Sequence, residues 1–301
     1  MFEFLKKQWM KNKYVYIMLI PVLTYYIVFC YIPMYGVSIA FKSFMPQKGI
    51  IGSPWIGLQH FATFFDSYYF LRLIKNTLGI NIFWMLVGFP APIILALLLN
   101  EIKSATYKRI TQTITYLPHF VSIVVIAGII LQFTSRNGLI NEIIAMLGFE
   151  RIAFMIKPEW FWTVFVTSGV WQNVGWDSII YLAALSGLSV EMYEAAKIDG
   201  ANRFRQIIHI TLPGISPTII ILLILNLGNL MNVGFEKIIL LYNPSIYETA
   251  DVISSFVYRK GILEANYSYS AAIGLFNSAV NFALLVVSNS ISRKASETSL
   301  W

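Results

Sequence analysis

The sequence predicts an all-α membrane protein of six transmembrane helices, and three observations carry that reading. Of 301 residues, 57% are hydrophobic and only 12% are charged, against about 25% charged in an ordinary soluble domain. Mean hydropathy is +0.66. The apolar residues gather into six runs, each reaching the roughly 20 residues a helix needs to cross about 30 Å of hydrocarbon. The net charge of +7 does not mark a nucleic-acid binder, because the basic residues flank apolar runs instead of massing on one face. Cys30 is the single cysteine, which excludes an intrachain disulfide and a cysteine-based metal site.

Residues 1–13 are polar and basic, with Lys6, Lys7, Lys11 and Lys13. The apolar run at 14–41 is too long for a signal-peptide core and lacks a small-x-small cleavage site, so it reads as a retained first span. Pro21 and Pro33 are expected to kink or end it. Residues 42–73 form a loop broken by Pro and Gly, with Trp55, Phe61, Phe64, Phe65, Tyr68 and Tyr69 suited to a membrane interface. The second span is 76–100 and contains Pro90 and Pro92; a short basic turn with Lys103, Lys108 and Arg109 follows. The third span is 110–133, with Leu117-Pro118-His119 inside it. A loop with a small amphipathic piece at 139–147 leads to the fourth span, 160–188. The fifth is 212–233 and the sixth 269–291. Between them, 234–268 holds an expected amphipathic helix at 250–258, flanked by Tyr242, Tyr247 and Phe256, that suits transient contact with a docked protein.

The longest polar interruption in the second half is the loop at 189–211. It reads as two short helices with a bend. Ser189 is placed to cap the first, with Glu191 and Glu194 near its positive end. Gly200 permits a sharp change of direction, and Pro213 sits where the fifth apolar run starts, a position where a missing N–H costs little. Ala195, Ala196, Gly200 and Ala201 leave a flush surface that another protein can approach closely. With the N-terminus inside, this loop joins the segments denser in Lys and Arg, which places it and both termini in the cytoplasm. The chain thus divides into a cytoplasmic segment 1–13, one membrane domain 14–291 and a cytoplasmic tail 292–301.

No Gly-x4-Gly-Lys-Ser/Thr run is present, so nucleotide phosphates have no P-loop here. The histidines lie on separate segments: His209 beside Arg203 and Arg205 reads as solvated, and His119 after Pro118 as a partner for a freed carbonyl. No catalytic residue and no metal ligand is assigned. Any work this chain takes part in must therefore draw its energy from another chain or from an ion gradient. Polar residues inside the spans are the remaining signal. Asp177 lies near the middle of the fourth span, and an intramembrane carboxylate faces a bundle interior or a water-filled path by default. Asn173 is four residues earlier on the same face, and Trp176 offers a ring that stacks on sugars. Asn226, Asn229 and Asn232 recur on one side of the fifth span. These six residues form either a translocation path or a set of interhelical hydrogen bonds worth about 0.6–2 kcal/mol each.

Glu194-Ala195-Ala196, three residues, Gly200, nine residues, then Ile210-Thr211-Leu212-Pro213, with Asp199 before the glycine, resembles the signature of permease subunits of bacterial binding-protein-dependent ABC importers. Asn76-Thr77-Leu78, Leu117-Pro118-His119-Phe120, the run from Ile180 to Gly187 behind Trp176, Tyr258-Arg259-Lys260-Gly261 and Ala272-Ile273-Gly274-Leu275-Phe276 are similar to the carbohydrate-importing, maltose-permease-like branch. Together with the Ser299-Leu300-Trp301 end they resemble Gram-positive permeases for polysaccharide-derived oligosaccharides. The resemblance implies a type I importer permease fold whose loop is a cytoplasmic coupling helix, with Glu194, Ala195, Ala196, Asp199, Gly200, Ala201, Leu212 and Pro213 meeting an ATPase. It implies a bacterial plasma-membrane, multi-pass subunit that is not itself an enzyme. Its partners would be a second homologous permease, two ATPase subunits that bind ATP and Mg in place of any cofactor in this chain, and a lipid-anchored sugar-binding protein. Lipid is the remaining partner and nucleic acid is none. The large outer insertion of the enteric maltose permease is absent, which leaves sugar capture to the separate binding protein. The residues by themselves leave open an ion-coupled carrier, an intramembrane enzyme or an ABC permease for a non-sugar solute.

Overall fold

The computed structural model describes the backbone of residues 2–296 and the side chains of residues 11–294; Ser299-Leu300-Trp301 lies outside the described residues. Helices dominate, and among the described residues the one β feature is an isolated antiparallel bridge between Lys42 and Trp55. Among the described residues, five helical segments are long and apolar enough to cross a membrane: Lys11–Phe41, Tyr69–Glu101, Ile123–Met146, Arg203–Gly228 and Tyr267–Lys294. A sixth comes from Pro158–Ser186, which is followed by Val190–Ile198 at an angle of 72°. The chain falls into two compact units, one made of residues up to Ser67 with Val257–Phe276, the other of Tyr68–Phe256 with the residues from Asn277 on.

The first unit holds the first span. Its most apolar stretch buries none of its length within the chain, and residues such as Tyr14, Met18, Phe29 and Ile32 are well exposed. Water does not tolerate so large an apolar surface; lipid or another membrane helix does. Of the two expected effects, a kink or an end, the second does not occur: the span continues through both Pro21 and Pro33. The helix Phe2–Tyr25 passes through Pro21 and has its irregular residue at Asn12. A π-helical turn, Tyr26–Tyr31, precedes Pro33, with the Ile32 N–H reaching Ile27 O. Such a turn re-spaces the carbonyls that a proline leaves without a donor. The loop after the span is held by the Phe41–Trp55 stack at 5.5 Å, the Lys42 ammonium donating to Ile50 O at 2.7 Å and the Phe44 N–H donating to Ser268 Oγ at 2.9 Å.

In the second unit, the second span is two helices, Tyr69–Val87 and Pro90–Glu101. Pro90 opens the second of them, where its missing N–H costs least. The third span differs from the sequence reading. A 3-10 turn at Leu117–Phe120 cuts the predicted run, because Pro118 has no N–H to continue an α-helix. Ala105–Tyr116 is therefore a separate helix, capped by Ser104 Oγ accepting from Tyr107 N at 3.3 Å, and the crossing candidate starts at Ile123. Phe161–Ser186 is the central helix, packed chiefly on Pro90–Glu101. Ile93, Ala96, Tyr181, Leu185 and Ile215 form a core shared by the second, fourth and fifth spans.

The segment between the fifth and sixth spans overturns the expectation of a free amphipathic helix at 250–258. The helix is Ile253–Tyr258, and Ala250, Val252, Ile253 and Phe256 are buried. Asp251, fully buried, pairs with Arg72 at 3.2 Å. Asn76, also fully buried, donates to Glu248 O and Asp251 O at 2.9 Å each. Trp162 Nε1–H donates to Thr249 O at 2.8 Å. An unpaired carboxylate or backbone carbonyl would be costly here, and these partners remove that cost by drawing the loop onto spans two and four.

Gly175 marks a close approach of one backbone to another. A Cβ there would lie 2.1 Å from the Thr115 carbonyl oxygen, a backbone atom that has no rotamer by which to retreat. Gly175→Val should therefore lower the melting temperature of the detergent-purified protein, by the equivalent of about 1–3 kcal/mol typical of overpacking. Unchanged melting would show that the helix Ala105–Tyr116 is free to move away.

Candidate functional site

Two regions concentrate polar side chains, and different local rules build them. The first is the loop after the fourth span. Ser189 caps Val190–Ile198, its Oγ accepting from the Glu191 N–H at 3.2 Å. The chain then turns at Gly200, whose φ of +77° favours glycine, and Asn202 caps Arg203–Gln206 through its Oδ1 and the Arg205 N–H at 2.9 Å. The two short helices and the bend match the sequence reading. Pro213 stands in the first turn of the fifth-span α-helix, Leu212–Gly228, as the sequence reading has it, but a helical path precedes that helix. The helical path begins at Arg203 and runs through a π turn, Ile207–Thr211, where the Leu212 N–H reaches Ile207 O. Pro213 thus sits inside a continuous span, with the π turn accommodating its missing donor.

Glu194, Ala195, Asp199, Gly200 and Pro213 are exposed, while Ala196, Ala201 and Leu212 are half-buried. Beside them stand the exposed apolar side chains of Val190, Ile198 and Phe204. Around this open tip the loop's flanks are tied down. Tyr193 OH and Thr211 Oγ1 share a hydrogen bond of 2.9 Å, Gln206 Nε2 donates to Ala201 O at 2.9 Å, and Arg203 pairs with Glu101 at the end of the second span. A Cβ on Gly214 would meet Leu188 at 2.6 Å, so the end of the fourth span and the fifth span are in close contact.

The second region is a cavity of about 670 Å³ lined by residues of the second, third, fourth and fifth spans and the loop that follows. It gathers Asn173, Asn226, Asn229 and Asn232, together with Asn81, Gln172, Trp84, Glu236 and Lys237. The asparagines are braced by their own helix. Asn173 Nδ2 donates to Gly169 O at 3.0 Å, Asn226 Nδ2 to Leu222 O at 2.9 Å and Asn229 Nδ2 to Leu225 O at 3.0 Å. Asn232 Oδ1 accepts from Asn277 Nδ2 at 2.9 Å. The fifth-span helix stops at Gly228, so Asn229 and Asn232 lie on irregular backbone beyond it. Non-helical backbone at that depth is tolerated where it lines a cavity or is buried in protein.

Trp176 and Asp177 are not among the residues lining this cavity. Trp176 stacks face to face on His119, with centroids 4.7 Å apart and planes 2° from parallel. His119 Nδ1 shares a hydrogen bond of 3.0 Å with Asn173 Oδ1, so its partner is a side-chain amide and not the freed carbonyl expected from Pro118. Asp177 is half-buried one residue further along.

Sequence reasoning missed Lys237, Asn81 and Trp84. Lys237 is the informative one. It is 7% exposed, its ammonium donates to Phe165 O at 2.9 Å and lies 4.8 Å from the Phe165 ring centre. Among the described residues no carboxylate pairs with it. The available signal was the charged pair Glu236-Lys237 set directly before the apolar run Ile238-Ile239-Leu240-Leu241. The lysine lies outside the crossing segments, and burial pushes it down from 10.5 to about 8.

Residues 88–296 match the family described as binding-protein-dependent transport system inner membrane component. The chain is 41% identical to the polygalacturonan/rhamnogalacturonan transport system permease protein YteP of Bacillus subtilis, over 97% of this chain and 91% of that protein. It is 44% identical to protein LplB of the same organism, over 97% and 92% of the two chains. Among solved structures, it resembles a chain of a bacterial ABC transporter involved in the import of the acidic polysaccharide alginate. That match has a TM-score of 0.90 and 44% identity, and covers 97% of this chain and 99% of the other. It also resembles a chain of the bacterial alginate ABC transporter in complex with alginate pentasaccharide-bound periplasmic protein. There the TM-score is 0.91 and the identity 42%, over 98% and 99% of the two chains.

The lysine generates a signed expectation for stability. Below about 8 the folded protein carries a buried charge that the unfolded chain would carry in water. Between about 8 and 10.5 the unfolded chain binds more protons, so stability rises with pH across that window. Comparing the melting temperature of the native protein with that of Lys237→Met from pH 7 to 10 isolates this contribution. The native protein should gain relative to the variant as pH rises; a constant difference contradicts a buried ammonium.

Proposed function

Because the chain belongs to the family of binding-protein-dependent transport system inner membrane components, we propose that it is the permease subunit of an ATP-driven ABC importer for oligosaccharides cut from polysaccharides and delivered by an extracytoplasmic binding protein. Its near full-length likeness to YteP, a polygalacturonan/rhamnogalacturonan permease, supports this substrate class, as does its likeness to an importer of the acidic polysaccharide alginate. The single observation that carries the mechanism is the exposed helix Val190–Ile198, set at 72° across the end of the fourth span. An exposed helix with Glu194, Ala195, Ala196 and Gly200 at its open side, and with Ile198 and Phe204 unburied, is built to seat in another protein.

That protein is a cytoplasmic ATPase, of which the assembled importer holds two, and they bind the ATP and Mg. A second homologous permease completes the path, and a lipid-anchored binding protein supplies the sugar. The chain crosses the plasma membrane of a bacterium several times with both termini in the cytoplasm. Force applied at Val190–Ile198 enters the bundle by two routes. One passes from Tyr193 through Thr211 into the fifth span; the other passes from Arg203 to Glu101 at the foot of the second. Both spans line the polar cavity, so motion at the loop alters the walls of the path. Asn173, Asn226, Asn229 and Asn232 offer amide donors and acceptors to sugar hydroxyls there.

Replacing Gly200 by Val forces a β-branched residue into a left-handed backbone conformation without touching the bundle, since nothing lies within 4 Å of a Cβ there. Gly200→Val should abolish sugar-stimulated ATP hydrolysis by the reconstituted importer while the protein still inserts in the membrane. Full stimulation in that variant would remove the coupling assignment. Calorimetry on the purified permease pair should find oligosaccharide binding weaker than micromolar, because the path hands cargo on. Tighter binding would move capture from the binding protein into the membrane.

A further inference from the structure

The cavity contains one feature that neutral sugar recognition does not require. Its wall is made mostly of amides and apolar groups, yet a buried lysine stands among them that pairs with no carboxylate among the described residues. Burying a charge without a counter-ion is costly, and a methionine of similar length would fill the same space at lower cost. Lys237 uses one of its three N–H donors on Phe165 O, and the Phe165 ring lies beneath the ammonium, which leaves donors for something else. The neighbouring Glu236 also lines the cavity but is exposed, so water screens its charge far more than that of the lysine.

We infer that Lys237 is a specificity-determining residue that receives the carboxylate of an acidic, uronate-type sugar as the oligosaccharide passes through the cavity. A carboxylate is a better fit than a phosphate. The lysine offers one positive charge, and a dianion in the same space would also meet Glu236. The cavity volume of about 670 Å³ is that of ordinary small-molecule sites, about 300–1,000 Å³. Trp84 on the same wall presents an aromatic face to a sugar ring, and the asparagines on the fifth-span side present amides to its hydroxyls. The lysine thus supplies charge recognition, and the amides and the indole supply shape. With the fifth span running outward from the coupling loop, Lys237 follows its outer end and meets the cargo early in passage.

This inference rests on the oligosaccharide-importer reading, and its test separates the two. The reconstituted importer with its binding protein is given a galacturonate trisaccharide, an alginate trisaccharide and the methyl ester of each, and the ratio of acid to ester uptake is measured. The same binding protein serves every permease variant, so its own preference cancels when ratios are compared between variants. The native importer should prefer at least one acid to its ester. In Lys237→Met and Lys237→Gln that preference should fall by about tenfold or more, the size expected for one hydrogen bond to a charged group. Lys237→Arg should retain it. The Gln variant keeps a donor for Phe165 O, so a purely structural tie predicts uptake and ratio close to native in that variant. Equal ratios in native and neutral variants overturn the inference and leave the oligosaccharide reading standing. Failure of both neutral variants to assemble while Lys237→Arg assembles assigns the charge to folding and overturns it too. No uptake of any trisaccharide by the native importer overturns the oligosaccharide reading itself, and the inference with it.

Discussion

A carboxylate with no exposed surface holds one end of the second unit together. Asp251 accepts from Arg72 through one oxygen at 3.2 Å and from Ser255 Oγ through the other at 2.9 Å. Its backbone carbonyl takes a bond from Asn76, and two residues on the Ile253 N–H donates to Thr77 Oγ1 at 3.1 Å. In a low-dielectric interior each of these groups would be expensive alone, and removing any one leaves its partner unsatisfied. The network behaves as a unit for that reason. It fastens the returning half of the loop to the second span, while Asn243 Nδ2 donating to Met155 O and Thr249 Oγ1 donating to Pro158 O fasten it near the start of the fourth. The outgoing half of the same loop bears Lys237. Lys237 stands on the short helix Phe235–Leu241 within that loop, and a helix clamped this way gives a side chain the fixed position that a recognition residue needs.

How much of this was legible in the sequence depended on whether the deciding partner was near or far along the chain. The spans were legible because hydrophobic length is a local property, and their number agrees with five crossing segments plus the bent pair. The loop after the fourth span was legible for the same reason. Ser189 acts on the Glu191 N–H and Gly200 on its own backbone, so neither role needs a distant residue. The errors share the opposite cause. The segment 250–258 has amphipathic spacing, but its polar face turns to Arg72, Asn76 and Thr77, more than 170 positions earlier. A polar stripe matched by buried partners is indistinguishable in sequence from one matched by water. Lys237 was passed over for the mirror reason: a lysine between spans is solvated by default, and its buried partner, Phe165 O, lies 72 positions earlier.

Prolines illustrate a further limit. Pro33 and Pro213 each stand in a helical path shortly after a π turn, and both paths continue through them. Pro118 stands in a 3-10 turn and ends its helix. The missing N–H is the same in all three cases, and the local repair differs. Where neighbouring turns widen to redistribute carbonyl partners, the helix survives; where they tighten, it stops. Sequence shows where the difficulty lies but not which repair the surrounding packing allows.

The exposed loop tip around Gly200 and the polar cavity share no residue. Glu194 to Ala201 touch their own chain mainly through ties at the loop's flanks, and the cavity wall is drawn from other stretches of the sequence. Substitutions in one place therefore have little energetic reason to be felt in the other, as is usual for distant sites without common partners. Such a chain is modular in heredity as well as in form. On the importer role proposed above, the chemistry of the path would be free to diverge, residue by residue, under whatever polysaccharide a habitat provides, while the surface proposed to meet an ATPase stays as it was. A single kind of motor is then able to serve many descendants of one path.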